Sequence, residues 1–180
     1  LLFFGSWDSW LDFDPVYATA KGLGCKFVVT GMSHSKLGQR QREALSLRSD
    51  DMFAFLGMLP DEVMPYVVNA ADIVLTPYRR LLKNFGVPLK IVEALACGTP
   101  VLTSYIPEFR FWFGDLVNYY TNTRDIPGLV AEMFKNHDGI RRFLLNHRGD
   151  IVERFSWGKI ATEYEKVLME VVRRGEGRSC

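Results

Sequence analysis

Four short apolar segments, each closed by glycine or proline, constrain the fold of this chain more than any other feature. They are LLFFG (1–5), CKFVVTG (25–31), MFAFLG (52–57) and DIVLTP (72–77). Strands that are apolar throughout are typical of a sheet covered on both faces, and alternation with helical stretches favours parallel pairing. The sequence therefore predicts an α/β fold built on a doubly wound parallel sheet.

Helices and further strands continue this alternating series. Between the strands, the sequence predicts helices over 15–22, near 36–48 and within 59–70, the last with Asp61 and Glu62 in its first turn. Later elements are expected, in chain order, as a helix within 84–97, strands at 100–103 and 116–120, and helices near 125–135 and 138–148. A long amphipathic helix follows, with Ser156 as its N-cap. Because 180 residues with 48% hydrophobic content suit one soluble core, a single domain is predicted.

Charge and cysteine content narrow the functional classes. A net charge of +1 gives no reason to expect a nucleic-acid-binding face. Cys25, Cys97 and Cys180 are odd in number and lack metal-ligand spacing, which indicates reduced thiols in a cytoplasmic protein. No segment resembles a signal peptide or a transmembrane span; peripheral attachment at a membrane is left open. Since the chain begins inside an apolar run without an initiator Met, we expect a domain of a longer protein.

The segment NFGVPLKIVEALACGTPV (84–101) carries the strongest functional signal. Pro88 suits the first position of a helix, and Gly98 suits the left-handed residue just past its last turn. Between them the helix is apolar nearly all round, which predicts extensive burial, except for Lys90 and Glu93 on one face. This pair is either a plain ion pair or a binding site, and the spacing alone favours neither.

The edge of the sheet formed by the carboxyl ends of its strands is the predicted position of a ligand. In open α/β sheets, loop N–H groups and helix N-termini face bound anions at this edge. Gly5 and Ser6 directly follow the first strand, and Arg79 and Arg80 follow the fourth. An anionic ligand is therefore expected there.

A family resemblance rests on the run VPLKIVEALACGTPVLTSYIPE (87–108). It resembles the donor-binding signature of retaining glycosyltransferases of the GT-B fold, the "glycosyl transferases group 1" family. The segments FAFLGMLPDEVMPYVVNAADIVLTPYRR (53–80) and FSWGKIATEYEKVL (155–168) are similar to further parts of that family, in the same order. The resemblance implies that residues 1–180 are a Rossmann-like domain, the C-terminal, nucleotide-sugar-binding half of a GT-B enzyme, with the N-terminal acceptor domain absent.

The resemblance also implies roles for particular residues. In that family the lysine matching Lys90 contacts the donor diphosphate, and the glutamate matching Glu93 hydrogen-bonds the ribose hydroxyls. The nucleotide base is expected along the loop that begins at Gly57. Many members carry another glutamate, which contacts the transferred sugar, where Phe85 stands here. The predicted donor site comprises Gly5, Ser6, Gly57, Met58, Arg79, Arg80, Asn84, Gly86, Pro88, Leu89, Lys90 and Glu93.

The activity implied by the resemblance is a hexosyl transfer in glycan biosynthesis. A sugar would pass, with retention of configuration, from a nucleoside diphosphate sugar to a sugar or lipid-linked acceptor, without a metal or other cofactor. An N-terminal GT-B domain or a partner chain would complete the enzyme, so the isolated domain is expected to be inactive. Two alternatives are a donor-binding subunit of a split glycosyltransferase and a non-catalytic flavodoxin-like binding module.

Overall fold

The computed structural model describes residues 1–6, 8, 10–33, 35–47, 51–79 and 86–176. Within them lies a six-stranded parallel sheet in the order β3-β2-β1-β4-β5-β6. Its strands are β1 (Leu2–Phe4), β2 (Phe27–Thr30), β3 (Phe53–Gly57), β4 (Val74–Thr76), β5 (Val101–Ser104) and β6 (Asn118–Tyr120). The strands run outward from β1 to β3 on one side and from β4 to β6 on the other. The topological switch point of the sheet therefore lies between β1 and β4.

Two groups of helices flank the sheet, one in which α1 packs against α6 and one in which α4 packs against α3 and α8. The helices are α1 (Asp14–Leu23), α2 (Lys36–Leu47), α3 (Met64–Asn69), α4 (Leu89–Ala96), α5 (Pro107–Phe113), α6 (Ile126–Lys135), α7 (His137–Asn146), α8 (Arg148–Phe155) and α9 (Trp157–Glu176). The predicted doubly wound parallel α/β fold is therefore confirmed. No helix among the described residues is long and apolar enough to span a bilayer.

A row of aromatic rings joins the central strands to α1. Phe13, just before α1, lies edge-on to Phe3 of β1 at a centroid distance of 4.8 Å. The ring of Phe27 lies 5.8 Å from Phe13, and that of Phe53 lies 5.9 Å from Phe27. Because Phe3, Phe13 and Phe27 are buried, this row fixes the position of β1 within the core.

The signals that end α4 and begin α9 are confirmed. Gly98 has a φ of +72°, a left-handed conformation that favours glycine just past the end of a helix. The Ser156 hydroxyl accepts a hydrogen bond from the Lys159 N–H at 3.2 Å, as expected of an N-cap. Pro88 differs by one position, since it lies just before α4 in an extended conformation and not in its first turn.

One expectation about helix starts is wrong, and the burial of α4 has one exposed apolar residue. Asp61 and Glu62 lie in a turn before α3, because Pro65 lacks an N–H and belongs in the first turn of a helix. α4 is largely buried, as predicted, although its Leu89 is 53% exposed. Leu89 is the first residue of α4, and a helix that follows a parallel strand begins at the open edge of the sheet.

Two helices of the structure lie outside the predicted set. α5 follows β5 directly, and α8 follows α7 with only His147 between them. The predicted helix near 138–148 thus ends at Asn146, and a second helix begins at Arg148. The new helix matters for the site, because α8 packs against α4.

Candidate functional site

A glycine lies at the carboxyl end of each of the first three strands. Gly5, Gly31 and Gly57 have φ values of +95°, +118° and +68°, a region that strongly favours glycine. The Gly5 N–H donates to the carbonyl of Thr30 at 3.0 Å, and the Gly31 N–H donates to the carbonyl of Gly57 at 2.8 Å. A Cβ on Gly31 would lie 2.2 Å from the Gly5 carbonyl oxygen. The strand ends therefore meet backbone to backbone.

A cleft of about 680 Å³ opens above these strand ends, bounded also by α3, α4 and α8. Four of the predicted site residues line it, namely Gly5, Ser6, Met58 and Glu93. A smaller cavity of about 470 Å³ adjoins it and is lined in part by Gly57 and again by Met58. Cavities of this size accommodate ligands as large as a nucleotide.

The Lys90 side chain contacts the loop that follows β1. Its Nζ donates to the carbonyl of Ser6 at 3.3 Å. The same atom lies 4.3 Å from the centroid of the Phe3 ring and 5.9 Å from that of Tyr78. Burial lowers the pKa of Lys90 from 10.5 to about 8, and the nearby Glu93 carboxylate opposes this shift. Lys90 therefore contacts the cleft through Ser6, which lines it, and is not itself a lining residue.

Glu93 lies one turn further along α4 and faces the cleft. Partial burial raises the pKa of its carboxyl, Lys90 lowers it, and Asp61 raises it further. Within the described residues, Lys90 and Glu93 do not form a direct ion pair, since the ammonium lies against Ser6 and Phe3. The two side chains share a helix face, as predicted, but point to different partners.

Four other predicted site residues do not line the cleft, namely Arg79, Gly86, Pro88 and Leu89. Arg79 donates from Nε to the carbonyl of Leu11 at 3.2 Å and forms an ion pair with Asp12 at 3.7 Å. It ties the start of the chain to the end of β4 and does not line the cleft. Gly86, Pro88 and Leu89 precede or begin α4 and are likewise absent from the lining. Arg80, Asn84 and Phe85 lie outside the described residues.

Four charged or polar residues that the sequence did not assign to the site line the cleft: Thr30, Asp61, Cys97 and Arg148. Asp61 follows the glycine of β3 in the chain, so its place at the strand edge was a usable signal. Arg148 is the first residue of α8. No local sequence pattern connects that helix with the carboxyl ends of the strands. Burial raises the pKa of Cys97, and the Arg148 charge opposes this shift. Cys25 and Cys97 are free thiols.

The site combines three chemical features at one edge of the sheet. The Lys90 ammonium, beside the loop at the end of β1, can bind an anion. The Glu93 carboxylate on the same helix can accept hydrogen bonds from hydroxyl groups. The apolar side chains of Met32 and Met58, both exposed, flank the boundary of the two cavities and can cover a flat ring. An anionic ligand that also carries hydroxyl groups and a ring fits this set.

The order of the parallel sheet and the cleft at the carboxyl ends of β1, β2 and β3 define a Rossmann-like α/β domain. The sequence model of the family "Glycosyl transferases group 1" matches residues 12–138. The chain therefore belongs to this family of glycosyltransferases. A curated relative, the O-antigen chain mannosyltransferase B of Escherichia coli, is 30% identical over 111 residues, which are 61% of this chain and 28% of the relative.

Solved structures of similar proteins have the same fold. The sucrose-phosphate synthase of Thermosynechococcus elongatus matches 96% of this chain with a TM-score of 0.79 and 18% identity. Anabaena HepE in complex with UDP matches 94% with a TM-score of 0.73 and 16% identity, and HepE has also been solved with UDP-glucose. This chain covers 46% of the synthase and 48% of HepE, so it spans less than half of each.

Proposed function

We propose that this chain is the donor domain of a retaining glycosyltransferase and binds a nucleoside diphosphate sugar in the cleft. One observation carries the proposal. The Lys90 ammonium contacts Ser6, and both Ser6 and Glu93 line the cleft. The sugar would pass to a sugar or lipid-linked acceptor. Family membership and the nucleotide complexes of HepE support this assignment.

The diphosphate is assigned to the loop after β1. Lys90 lies against this loop with its charge partly desolvated and no direct ion pair to an acid among the described residues. An anion at Gly5 and Ser6 would replace the lost hydration of the ammonium with charge-assisted hydrogen bonds. The same cation would stabilise the negative charge that develops on the leaving diphosphate during transfer. Lys90 thus serves both binding and departure of the leaving group.

The nucleoside is assigned to the other parts of the cleft. Glu93 would accept hydrogen bonds from the ribose hydroxyls through its carboxylate oxygens. The base would lie where the two cavities meet, between Met32 and Met58, next to Gly57. Because Lys90 supplies a positive charge for the diphosphate, we propose a reaction that requires no metal or other cofactor.

The acceptor site is assigned to a facing N-terminal GT-B domain or a partner chain. The cleft is open to solvent on the side away from the sheet, whereas glycosyl transfer needs a site that excludes water and orients the acceptor. The described part of this chain places no second domain over the cleft. The complete enzyme would therefore be a two-domain protein or a complex.

Separate calorimetric titration of UDP, GDP and ADP into the purified chain tests the proposal and also identifies the base. We expect one of the three to bind, and the corresponding nucleoside to bind more weakly because it lacks the diphosphate. If none of the three diphosphates binds, or if nucleoside and diphosphate bind equally, the donor assignment is wrong.

A further inference from the structure

We propose that Phe3 is a positioning residue for Lys90, because the face of its ring holds the ammonium against the loop where the diphosphate would bind. The inference rests on the proposed function for its consequence in binding. The position of the ammonium itself is a feature of this structure. Phe3 would not touch the donor and would act only through Lys90.

Within the described ranges, the Lys90 ammonium lies near two aromatic rings, a carbonyl oxygen and Gly5. The Phe3 ring centroid lies 4.3 Å from Nζ, well within the distance of about 6 Å over which a ring face attracts a cation. The Tyr78 ring is a second and more distant aromatic face at 5.9 Å. The Ser6 carbonyl accepts the hydrogen bond at 3.3 Å. A Cβ on Gly5 would lie 3.4 Å from Cε and 3.5 Å from Nζ, so the end of the Lys90 side chain packs beside this glycine.

The Phe3 ring is itself held firmly in place. Phe3 is fully buried in the central strand of the sheet, and Phe13 packs edge-on against it at 4.8 Å. A ring fixed in this way cannot turn its face from the ammonium without disturbing the core. The negative face of the ring therefore meets the cation at a constant position, which a flexible neighbour would not provide.

The electrostatic balance at Lys90 gives the ring contact its importance. Burial disfavours the charged form and lowers the pKa of Lys90, whereas a ring face and a carbonyl oxygen favour that form. The Glu93 carboxylate also favours the charged form, without a direct ion pair among the described residues. The Phe3 ring face, 4.3 Å from Nζ, adds to this compensation. Loss of the ring should therefore reduce the charged fraction of Lys90.

Phe27 offers a matched control for a merely structural role of Phe3. Both rings are fully buried in adjacent strands, and both pack on Phe13, at 4.8 Å for Phe3 and 5.8 Å for Phe27. Of the two rings, only Phe3 contacts the Lys90 ammonium. If core packing were the whole role of Phe3, Phe3→Leu and Phe27→Leu would have the same consequences.

The first experiment compares Phe3→Leu and Phe27→Leu in calorimetric titrations of UDP and GDP across pH 6 to 10. We expect Phe3→Leu to weaken diphosphate binding about two- to thirty-fold, the range for a partly desolvated cation at a ring face. It should also move the loss of binding at high pH to a lower pH. Phe27→Leu should reduce thermal stability similarly, with the dissociation constants and the pH profile unchanged. Equal effects of the two variants on binding would overturn the inference.

A second experiment preserves the packing and changes only the ring electrons. Fluorinated phenylalanines placed at position 3 alone withdraw charge from the ring face with little change in shape. The pKa of Lys90, followed by NMR of its side-chain nuclei without nucleotide, should fall as the number of fluorines rises. A constant pKa across the series would overturn the inference even if Phe3→Leu fails to fold.

The two experiments also separate this inference from the donor assignment. If the pKa falls with fluorination but no diphosphate binds to the wild type, the ring positions Lys90 and the donor assignment is wrong. If diphosphate binds and Lys90→Met weakens it, while fluorination changes neither the pKa nor the affinity, the donor assignment holds and the role of Phe3 is wrong.

Discussion

Lys90 is an energetic cost in the unliganded domain. Burial lowers its folded-state pKa from 10.5 to about 8, so the unfolded chain binds this proton more tightly. The cost to folding stability is therefore full below about pH 8 and fades as the pH rises from there to about 10.5. A residue that destabilises the empty domain at neutral pH is more readily explained by binding than by structure.

Lys90 and Glu93 should have separable effects on binding. Lys90→Met should cost about 1.5 to 3 kcal/mol for a nucleoside diphosphate, the range for hydrogen bonds to charged groups, and little for the nucleoside. Glu93→Gln should weaken nucleoside and diphosphate alike, and its effect should vanish for a dideoxyribose diphosphate that offers no hydroxyls. Calorimetric titration of the three ligands into each variant makes the comparison.

Lys159→Met is the matched control for these titrations, because Lys159 is an exposed lysine on α9 that pairs with Glu163. It should leave all three dissociation constants unchanged. If Lys90→Met and Glu93→Gln lower the melting temperature equally and change no dissociation constant, the pair is structural and not a donor site.

Binding of the diphosphate should also be coupled to protonation. In the free protein at pH 8 to 9, Lys90 is partly neutral because its pKa is about 8. A bound anion favours the ammonium and raises this pKa, so the complex should take up a fraction of a proton. Calorimetry in buffers with different ionisation enthalpies measures the uptake, which should be absent in Lys90→Met. The same uptake in wild type and variant would exclude Lys90 as its source.

At the scale of elements, the meeting of the strand ends depends on Gly31. A Cβ there would lie 2.2 Å from a backbone oxygen of Gly5, and the φ of +118° is unsuited to alanine. Gly31→Ala should therefore push the ends of β1 and β2 apart, cost about 1 to 3 kcal/mol of folding stability and weaken nucleotide binding. Denaturant unfolding and titration measure the two effects.

Gly22→Ala is a suitable comparison for this substitution. Gly22 lies inside α1, and a Cβ there would meet nothing within 4 Å. Alanine at an open helical position should stabilise the domain by about 0.5 to 1 kcal/mol. Gly31→Ala with wild-type stability and binding would mean that the strand ends adjust freely.

The elements show which parts of the fold could be predicted from sequence. The apolar strands and the stop at Gly98 were predicted because they depend on local burial and on the conformation of one residue. α8 could not be predicted, because Arg148 begins it only one residue after α7 and nothing local marks the break. The face shared by Lys90 and Glu93 followed from helical spacing. Their partners could not be predicted, since Phe3 and Asp61 reach them through tertiary packing.

At the scale of the whole molecule, residues 1–180 should bind the donor and not transfer its sugar. The chain covers less than half of the sucrose-phosphate synthase and HepE structures, and its cleft has no facing domain among the described residues. Without such a domain, water reaches the sugar and no group orients an acceptor, which removes a large part of the expected rate acceleration.

Labelled UDP-glucose and GDP-mannose, each offered with monosaccharide and lipid-linked acceptors, test this expectation directly. Transfer should stay below detection at donor concentrations that saturate binding, and Lys90→Met should lower occupancy without changing that result. Saturation has to be shown in the same samples, because an empty cleft would give no transfer for a trivial reason. Robust transfer to any acceptor by this chain alone would mean that residues 1–180 contain the acceptor site. The proposal that donor and acceptor bind to separate domains would then be wrong.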